Sequence, residues 1–459
     1  MLHKTTYDVE SRNSLKVTLR LLLVRHGLSS FNLEQRIQGR NDLSTLTKKG
    51  EIQAVKTGKI LSELKIDALY SSPLQRAALT TQKILESFSQ KITPVFDEGL
   101  LEIDLELWSG LKSNEVKKVF PNEYQTWKEN PEEFVLSKKD GRKYKPIKEL
   151  MDQANEFLTK IINNHPLNED STVLLVGHNA ILKCLIMCLL NQPIDNINRL
   201  KVNNTSLSVM NINPSDIKGY EVQIECLNNT THLEVPIPEK GNGSRLILVR
   251  HGETNWNKEG RFQGQIDIPL NINGIKQAQA AGEFLRDTMI DKAFSSCLKR
   301  PKETAEAILK HHPEIIIQDR EELIEISHGL WEGKLESEIN SNWPSLLNKW
   351  KESPQKVQMP EGENINQVWD RSVECWKEIS KSLQPSETAL VVAHDAVNKT
   401  ILCNLLGLSS KDIWSVKQGN GAVTIIDLPL ETNLPAIVTS LNLTSHLGGV
   451  LDNTATGAL

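Results

Sequence analysis

The sequence predicts an α/β fold: two tandem three-layer α/β/α domains, each built on a mostly parallel central sheet. Three observations carry that expectation. The 459-residue chain repeats itself in four blocks that keep the same order. Within each copy, short apolar runs alternate with stretches of helical spacing, the pattern of strands joined by crossover helices. Finally, Arg-His pairs and later histidines stand just after apolar runs, at the carboxyl ends of the expected strands, where ligands collect in parallel sheets.

The duplication is the strongest of the three, because a fixed internal period constrains the whole architecture. LRLLLVRHGLSSFNLEQRIQG returns as SRLILVRHGETNWNKEGRFQG, and YSSPLQRAALTTQKIL returns as FSSCLKRPKETAEAIL. LLEIDLELWSG returns as LIEISHGLWEG, and VLLVGHNAILKCLI returns as LVVAHDAVNKTILC. The offset is 225 from His26 to His251, 224 from Arg76 to Arg300, 223 from Glu102 to Glu325 and 216 from His178 to His394. The expected division is an N-terminal extension (1–17), a first domain (18–234), a linker (235–244), a second domain (245–443) and a frayed, small-residue tail (444–459). Two prolines, two glycines and the lack of any period mark the linker region.

In chain order, residues 19–24 form a short apolar run consistent with a strand buried on both faces. From Thr47, a plausible cap, the spacing predicts a helix. Residues 66–70 read as a strand, and 72–88 as a helix with Pro73 in its first turn. Residues 173–176 read as a strand followed by a helix from Ala180. Residues 246–249 open the second copy as 19–24 open the first.

Composition narrows the function. Apolar residues make up 39% and charged residues 24%, enough for a real core, and the net charge of −5 supplies no basic field for nucleic acid. The six cysteines form no Cys-x-x-Cys pair and read as reduced thiols. The N-terminus carries acidic residues and lacks the apolar core of a secretory signal, so the expected compartment is the cytoplasm. The longest apolar run, AILKCLIMCLL, contains Lys183 and is too short to span a bilayer. Neither a membrane nor nucleic acid is expected as a partner.

Cleaving a phosphate monoester takes a nucleophile, cations for the non-bridging oxygens and a proton for the leaving alcohol. His26 and His251 each end a strand within Val-Arg-His-Gly, and a neutral imidazole can accept a phosphoryl group covalently. Arg25 and Arg250 stand beside them with a fork that matches phosphate oxygens. Arg76 and Arg300, at the first turn of a helix, add a second fork. His178 and His394 end another strand and can donate to the phosphoryl group. Glu102 and Glu325 are the candidate acids, with pKa values expected to be raised by partial desolvation near a dianion. Any one of these groups alone has an ordinary structural explanation, such as a surface ion pair. Their joint appearance, in one order and twice, identifies a site.

These residues resemble the histidine phosphatase superfamily, the phosphoglycerate mutase-like fold, over nearly all of both copies. The resemblance implies His26 and His251 as phosphorylated nucleophiles and Glu102 and Glu325 as proton donors. It implies one phosphate pocket of Arg25, Arg76 and His178 and another of Arg250, Arg300 and His394, with Asn32 and Asn257 as further contacts. It implies no metal or other cofactor. The paired arrangement and RIQGRNDLSTLTKKGEIQA further resemble plant and cyanobacterial 2-carboxyarabinitol-1-phosphatases, and the second copy also resembles α-ribazole phosphatases. The expected partner is therefore a small phosphorylated metabolite, a sugar or sugar-acid phosphate; whether a second subunit joins is left open.

The copies differ around the shared set. Leu28 stands where the second copy has Glu253, and Ser109 where it has Glu332. Asp395 follows His394 where Asn179 follows His178. His328 is expected to pack rather than react, as are Trp331, Trp343, Trp350, Trp369 and Trp376. The basic stretch at 138–145 reads as a solvated loop. Two alternatives to hydrolysis remain, a mutase and a regulatory module in which one copy only binds phosphate. From acid to second histidine there are only 76 residues in the first copy and 69 in the second, little room for the lid that shields a mutase phosphoenzyme. Retention of every core group in both copies argues against a silent one, and Leu28 and Ser109 make the first copy the candidate if one is silent.

Overall fold

The computed structural model describes residues 19–215, 219–431 and 433–454. The first copy supplies β1 (Leu19–Arg25), β2 (Ala68–Ser71), β3 (Val95–Phe96), a small hairpin of β4 (Leu136–Ser137) and β5 (Lys143–Tyr144), then β6 (Ser171–Gly177), β7 (Leu207–Ser215) and β8 (Gly219–Asn229). The second supplies β9 (Ser244–Arg250), β10 (Lys292–Ser296), β11 (Ile317–Arg320), β12 (Thr388–Ala393), β13 (Val423–Leu428) and β14 (Ile437–Leu443).

Four strands of each copy run parallel, β1, β6, β2 and β3 in the first and β9, β12, β10 and β11 in the second, and two antiparallel strands flank each set. Alternation along β1 explains the three layers, since successive side chains point to opposite faces. Leu22 and Val24 pack with Ala54, Leu61, Ala77 and Ile84 from two helices on one face. Leu21 and Leu23 join Phe157, Ile161, Ile181 and Leu185 from two helices on the other. The second copy repeats this with Ile247 and Val249 on one face and Leu246 and Leu248 on the other.

β8 and β14 pair antiparallel with Leu227 opposite Leu441, so the two sheets fuse into one of twelve strands. ECLNNTTHL and TSLNLTSHL make those two leucines equivalent in the repeat, and a residue that pairs with its own counterpart marks a local two-fold axis. Each sheet thereby covers the other's exposed edge.

Three expectations need correction. The helix expected at 72–88 spans Gln75–Leu85, because Ser72 N–H still pairs with Val176 O at 2.9 Å and prolongs the sheet. Gln75 N–H is then capped by Asp42 Oδ1 at 2.7 Å, which places the helix start beyond Pro73. The helix expected from Ala180 begins at Asn179. The tail, expected to fray after Leu443, is packed through residue 454: His446 stacks on Phe284 at 5.0 Å, and Asp452 is buried against Asn442 and Lys417. Residues 1–18 and 455–459 lie outside the described residues. The Thr47 cap stands as expected, accepting from Gly50 N–H at 3.0 Å. All six cysteines are unpaired, and no helix among the described residues is long and apolar enough to cross a membrane.

Candidate active sites

Each site assembles where the parallel strands end. Arg25 and Arg250 are the last residues of β1 and β9, and the backbone of His26 and His251 still pairs with Gly177 O at 2.9 Å and Ala393 O at 3.1 Å. The next residue is glycine for a spatial reason. A Cβ on Gly27 would lie 2.5 Å from Gly50 O, and one on Gly252 would lie 2.3 Å from Gly274 O. The glycine N–H groups go to Thr80 Oγ1 at 2.9 Å and Thr304 Oγ1 at 3.1 Å.

His26 Nδ1 sits 2.8 Å from Gly27 O, and His251 Nδ1 sits 2.7 Å from Gly252 O. A carbonyl only accepts, so Nδ1 carries the proton and Nε2 keeps its lone pair. Arg300 Nε donates to that lone pair in the second site over 3.3 Å. Burial, reinforced by the neighbouring guanidinium groups, holds both histidines well below the usual range, so both rings are neutral.

The arginine forks are held from behind. Arg76 donates to Gly39 O at 2.8 Å and Asn41 O at 2.9 Å; Arg300 donates to Gly264 O at 2.8 Å and Ile266 O at 3.2 Å. Arg25 is tied to Val202 O at 2.8 Å and Arg250 to Gln418 O at 2.5 Å. Nε of Arg25, Arg76 and Arg250 is buried and without a partner among the described residues. An unpaired buried donor is costly, and these three guanidinium groups are cationic, so they are able to take an anion. Burial lowers Arg25 and Arg300 to about 10, which leaves both cationic at neutral pH.

His178 and His394 lie against the rings of His26 and His251, with centroids 5.1 and 5.2 Å apart. Their Nε2 atoms meet Ser72 Oγ at 2.8 Å and Ser296 Oγ at 2.9 Å, and Nδ1 of each lacks a partner among the described residues. Burial and nearby arginines hold both well below the ordinary histidine range. Glu102 is oriented by the backbone N–H groups of Ile103 (2.9 Å), Ala180 (3.0 Å) and Ile181 (3.3 Å). Glu325 receives Ile326 N–H at 2.9 Å and Ala396 N–H at 3.4 Å. Burial, and then the charge of Asp395, raise the Glu325 pKa. Asn32 and Asn257 have their Oδ1 atoms engaged by Ser29 and Thr254, at 3.0 and 3.1 Å.

All the residues singled out by the repeat therefore converge, and the differences between copies acquire reasons. Glu332 accepts from Gln265, Ile266 and His328 N–H groups and so braces the loop that holds Arg300; Ser109 braces the same loop of the first copy through Gln38 O at 2.9 Å. Asp395 pairs with Arg250 at 3.4 Å and Lys399 at 2.9 Å. His328 is fully buried between Phe262 and Trp350 with both ring nitrogens unpartnered among the described residues, a packing position that Leu105 fills in the first copy. Trp331, Trp350 and Trp376 are core residues, and Trp343 and Trp369 pack against them.

Sequence reasoning missed Asn204 and Asn420, which donate to the carbonyls of His26 (2.8 Å) and His251 (3.2 Å) and to Asn32 and Asn257. It also missed Ser72, Thr80 and their counterparts, and Arg371, whose guanidinium grips Glu325 O at 3.1 Å and the Glu363 carboxylate at 2.9 Å. The signal for the first group was available: Asn204 and Asn420 are identical residues at the offset of 216 that already relates the second histidines. Among the described residues no cluster of three or more histidines, cysteines or carboxylates could hold a metal ion.

Known proteins share this pattern. The family model of the histidine phosphatase superfamily (branch 1) matches residues 21–229 and 246–436. The 2-carboxy-D-arabinitol-1-phosphatase of Triticum aestivum is 29% identical over 454 residues, 94% of this chain and 86% of that protein. Phosphoserine phosphatase 1 of Hydrogenobacter thermophilus is 36% identical over 205 residues, 44% of this chain and 94% of that protein. Among solved structures, Bacillus stearothermophilus YhfR is 31% identical over 44% of this chain and 99% of its own, with a TM-score of 0.42.

Proposed function

Since the chain belongs to the histidine phosphatase superfamily and is a phosphatase of small phosphorylated molecules, we propose that both of its sites hydrolyse phosphomonoesters through a phosphohistidine. The substrate class best supported is a sugar or sugar-acid phosphate such as 2-carboxyarabinitol 1-phosphate, the compound in the name of a relative that spans both copies. The observation that carries the mechanism is the paired geometry at His251: Nδ1 fixed on Gly252 O, Nε2 facing the Arg300 guanidinium.

In the first step Nε2 of His26 or His251 attacks phosphorus and the bond to the ester oxygen breaks. Glu102 or Glu325 gives its proton to the departing alkoxide. Arg25, Arg76, His178 and Asn32 hold the phosphoryl oxygens in the first site, and Arg250, Arg300, His394 and Asn257 hold them in the second. The donors are already placed, so charge that develops on those oxygens meets preorganised dipoles. In the second step the carboxylate takes a proton from water, which attacks the phosphohistidine and releases inorganic phosphate. In this reading residues 18–234 and 245–443 are the two catalytic domains, and the cytoplasm is their compartment, in keeping with six free cysteines.

The test is phosphate release from a panel of phosphomonoesters by wild type, His26→Ala, His251→Ala and the double variant. Each single variant should keep the activity of the other site, and the double variant should lose at least about 1,000-fold, the scale on which removing a nucleophile acts. Full activity in the double variant would eliminate the phosphohistidine, and transfer of phosphate within the substrate without release would make the chain a mutase. A single variant with wild-type activity on every compound would reduce its domain to a phosphate-binding module.

A further inference from the structure

Three cations at equivalent positions are paired with carboxylates in the second copy and unpaired in the first. In the second, Arg250 and Lys399 share Asp395 at 3.4 and 2.9 Å, and Lys417 meets Asp452 at 3.7 Å. Their counterparts are Arg25, Lys183 and Lys201. Asn179 replaces the shared carboxylate, and the linker meets Lys201 with a backbone carbonyl, Glu239 O at 3.4 Å. Among the described residues no carboxylate lies within ion-pair distance of any of the three. All three line one cavity of about 610 Å³ between the copies, walled on its far side by the linker and by the β13–β14 hairpin. Lys128, over the rings of Tyr124 and Trp127, adds a fourth cation at its rim.

Resting on the reading of the first site as a phosphatase, we propose that this cavity is a subsite for a second anionic group of the substrate, a carboxylate or a second phosphate. The first site would then select diacidic substrates, while the second, its equivalent cations neutralised from within, would not. Arg25 connects the two regions, since it stands beside His26 and also lines the cavity, with its Nε buried and unpartnered among the described residues. The volume suits a sugar acid. Of the acidic residues on the wall, Asp427 is held by Arg245, at 2.6 and 2.9 Å, and by Thr439 at 2.7 Å; its charge and that of Glu239 act on Lys201 only from beyond ion-pair distance, and burial still lowers the Lys201 pKa. Glu431 stands across the mouth near Lys128. Burial and then Lys128 and Arg25 push Lys183 down to about 8, as expected of a cation without a counter-ion. Lys183 lies one helical turn past Asn179 on the same face, so the carboxylate at the Asn179 position decides whether it is free.

The experiment compares 3-phosphoglycerate with glycerol 3-phosphate, and ribose 1,5-bisphosphate with ribose 5-phosphate, in the His251→Ala chain where only the first site turns over. The proposal expects kcat/KM to favour the diacidic member of at least one pair about tenfold or more, as a charge-assisted contact would. Which pair responds separates carboxylate from phosphate. Asn179→Asp, which copies the second site's ion pair, and Lys183→Met should each bring that ratio close to one. The His26→Ala chain, running on the second site, should show a ratio near one throughout. Equal use of both members by the first site, or a preference that both substitutions leave intact, overturns the subsite. Absence of all hydrolysis in the His251→Ala chain would instead sink the phosphatase reading. The subsite is then decided by calorimetric binding of the same compounds to that chain with and without Lys183→Met: selective binding lost in the variant upholds it, and equal or absent binding overturns it.

Discussion

Asn228 on β8 and Asn442 on β14 donate across the seam to each other's strand: Asn228 Nδ2 to Thr439 O at 2.6 Å, and Asn442 Nδ2 to Glu225 O at 2.7 Å. They are equivalent residues of the repeat, and so are their acceptors. Both adopt left-handed backbone, with φ of 50° and 54°, a region that asparagine tolerates better than most residues. Each Oδ1 in turn accepts a backbone N–H next to a site, that of Asn203 at 2.6 Å and of Gly419 at 2.8 Å. The following residues, Asn204 and Asn420, hold the carbonyls of His26 and His251. Seam and sites are thus parts of one hydrogen-bonded framework.

Asn228→Ala or Asn442→Ala strands a buried carbonyl and N–H and puts alanine in left-handed backbone. Each should destabilise the protein by about 2–4 kcal/mol in chemical denaturation. A loss within about 0.5 kcal/mol, the range of neutral surface substitutions, would show that strand pairing and apolar packing hold the seam without these side chains.

His328→Leu should raise stability and leave phosphate release unchanged. Burial pushes the His328 pKa down to about 3, so the folded protein keeps it neutral while the unfolded chain takes up a proton below its ordinary pKa. The sign follows: wild-type stability falls as pH drops from the ordinary histidine pKa toward about 3, and this part of the loss disappears in the variant. Denaturation at pH 5 and pH 8 measures it. A gain no larger at pH 5 than at pH 8 would contradict the linkage.

Asp395→Asn removes a negative charge that helps keep the Glu325 pKa raised. In the His26→Ala background, phosphorylation of His251, read as kcat/KM, needs Glu325 protonated and falls as pH rises through its pKa. The variant should therefore shift the alkaline limb of the kcat/KM profile to lower pH. An unmoved or upward-shifted limb would separate Glu325 from the proton transfer.

Gly252→Ala places a Cβ against Gly274 O at 2.3 Å, and the partner is backbone that cannot rotate away. The loop carrying His251 must shift, and misplacing a reacting group by about 1 Å costs on the order of 100-fold in rate. Single-turnover phosphorylation of the second site, measured in the His26→Ala background, should slow by that factor. Wild-type kinetics there would mean the loop has more freedom than its packing suggests.

Much of the site was legible because its chemistry is local in sequence and written twice. Val-Arg-His-Gly places histidine and arginine on adjacent residues, and the offsets between copies separate retained groups from drifting ones. Arg371 was not legible: it works through the backbone of Glu322, Ile324 and Glu325, and a carbonyl as acceptor leaves no trace in residue types. Helix starts were blurred for a similar reason, since Asp42 caps Gln75 from 33 positions away.

By itself the sequence determined the duplication, the alternation of strand and helix, the two sets of histidine, arginine and glutamate that converge, and the positions where the copies differ. Those follow from periodicity and from residue identities that act over a few neighbours. Only the tertiary structure decided that the sheets fuse through β8 and β14, that the tail brings a carboxylate to Lys417 while the linker meets Lys201 with a backbone carbonyl, and that Asn179 in place of Asp395 leaves Arg25 and Lys183 without an ion-pair partner among the described residues. Each depends on which charges and edges meet across some two hundred residues, and that is set by packing and burial, which no short-range pattern records.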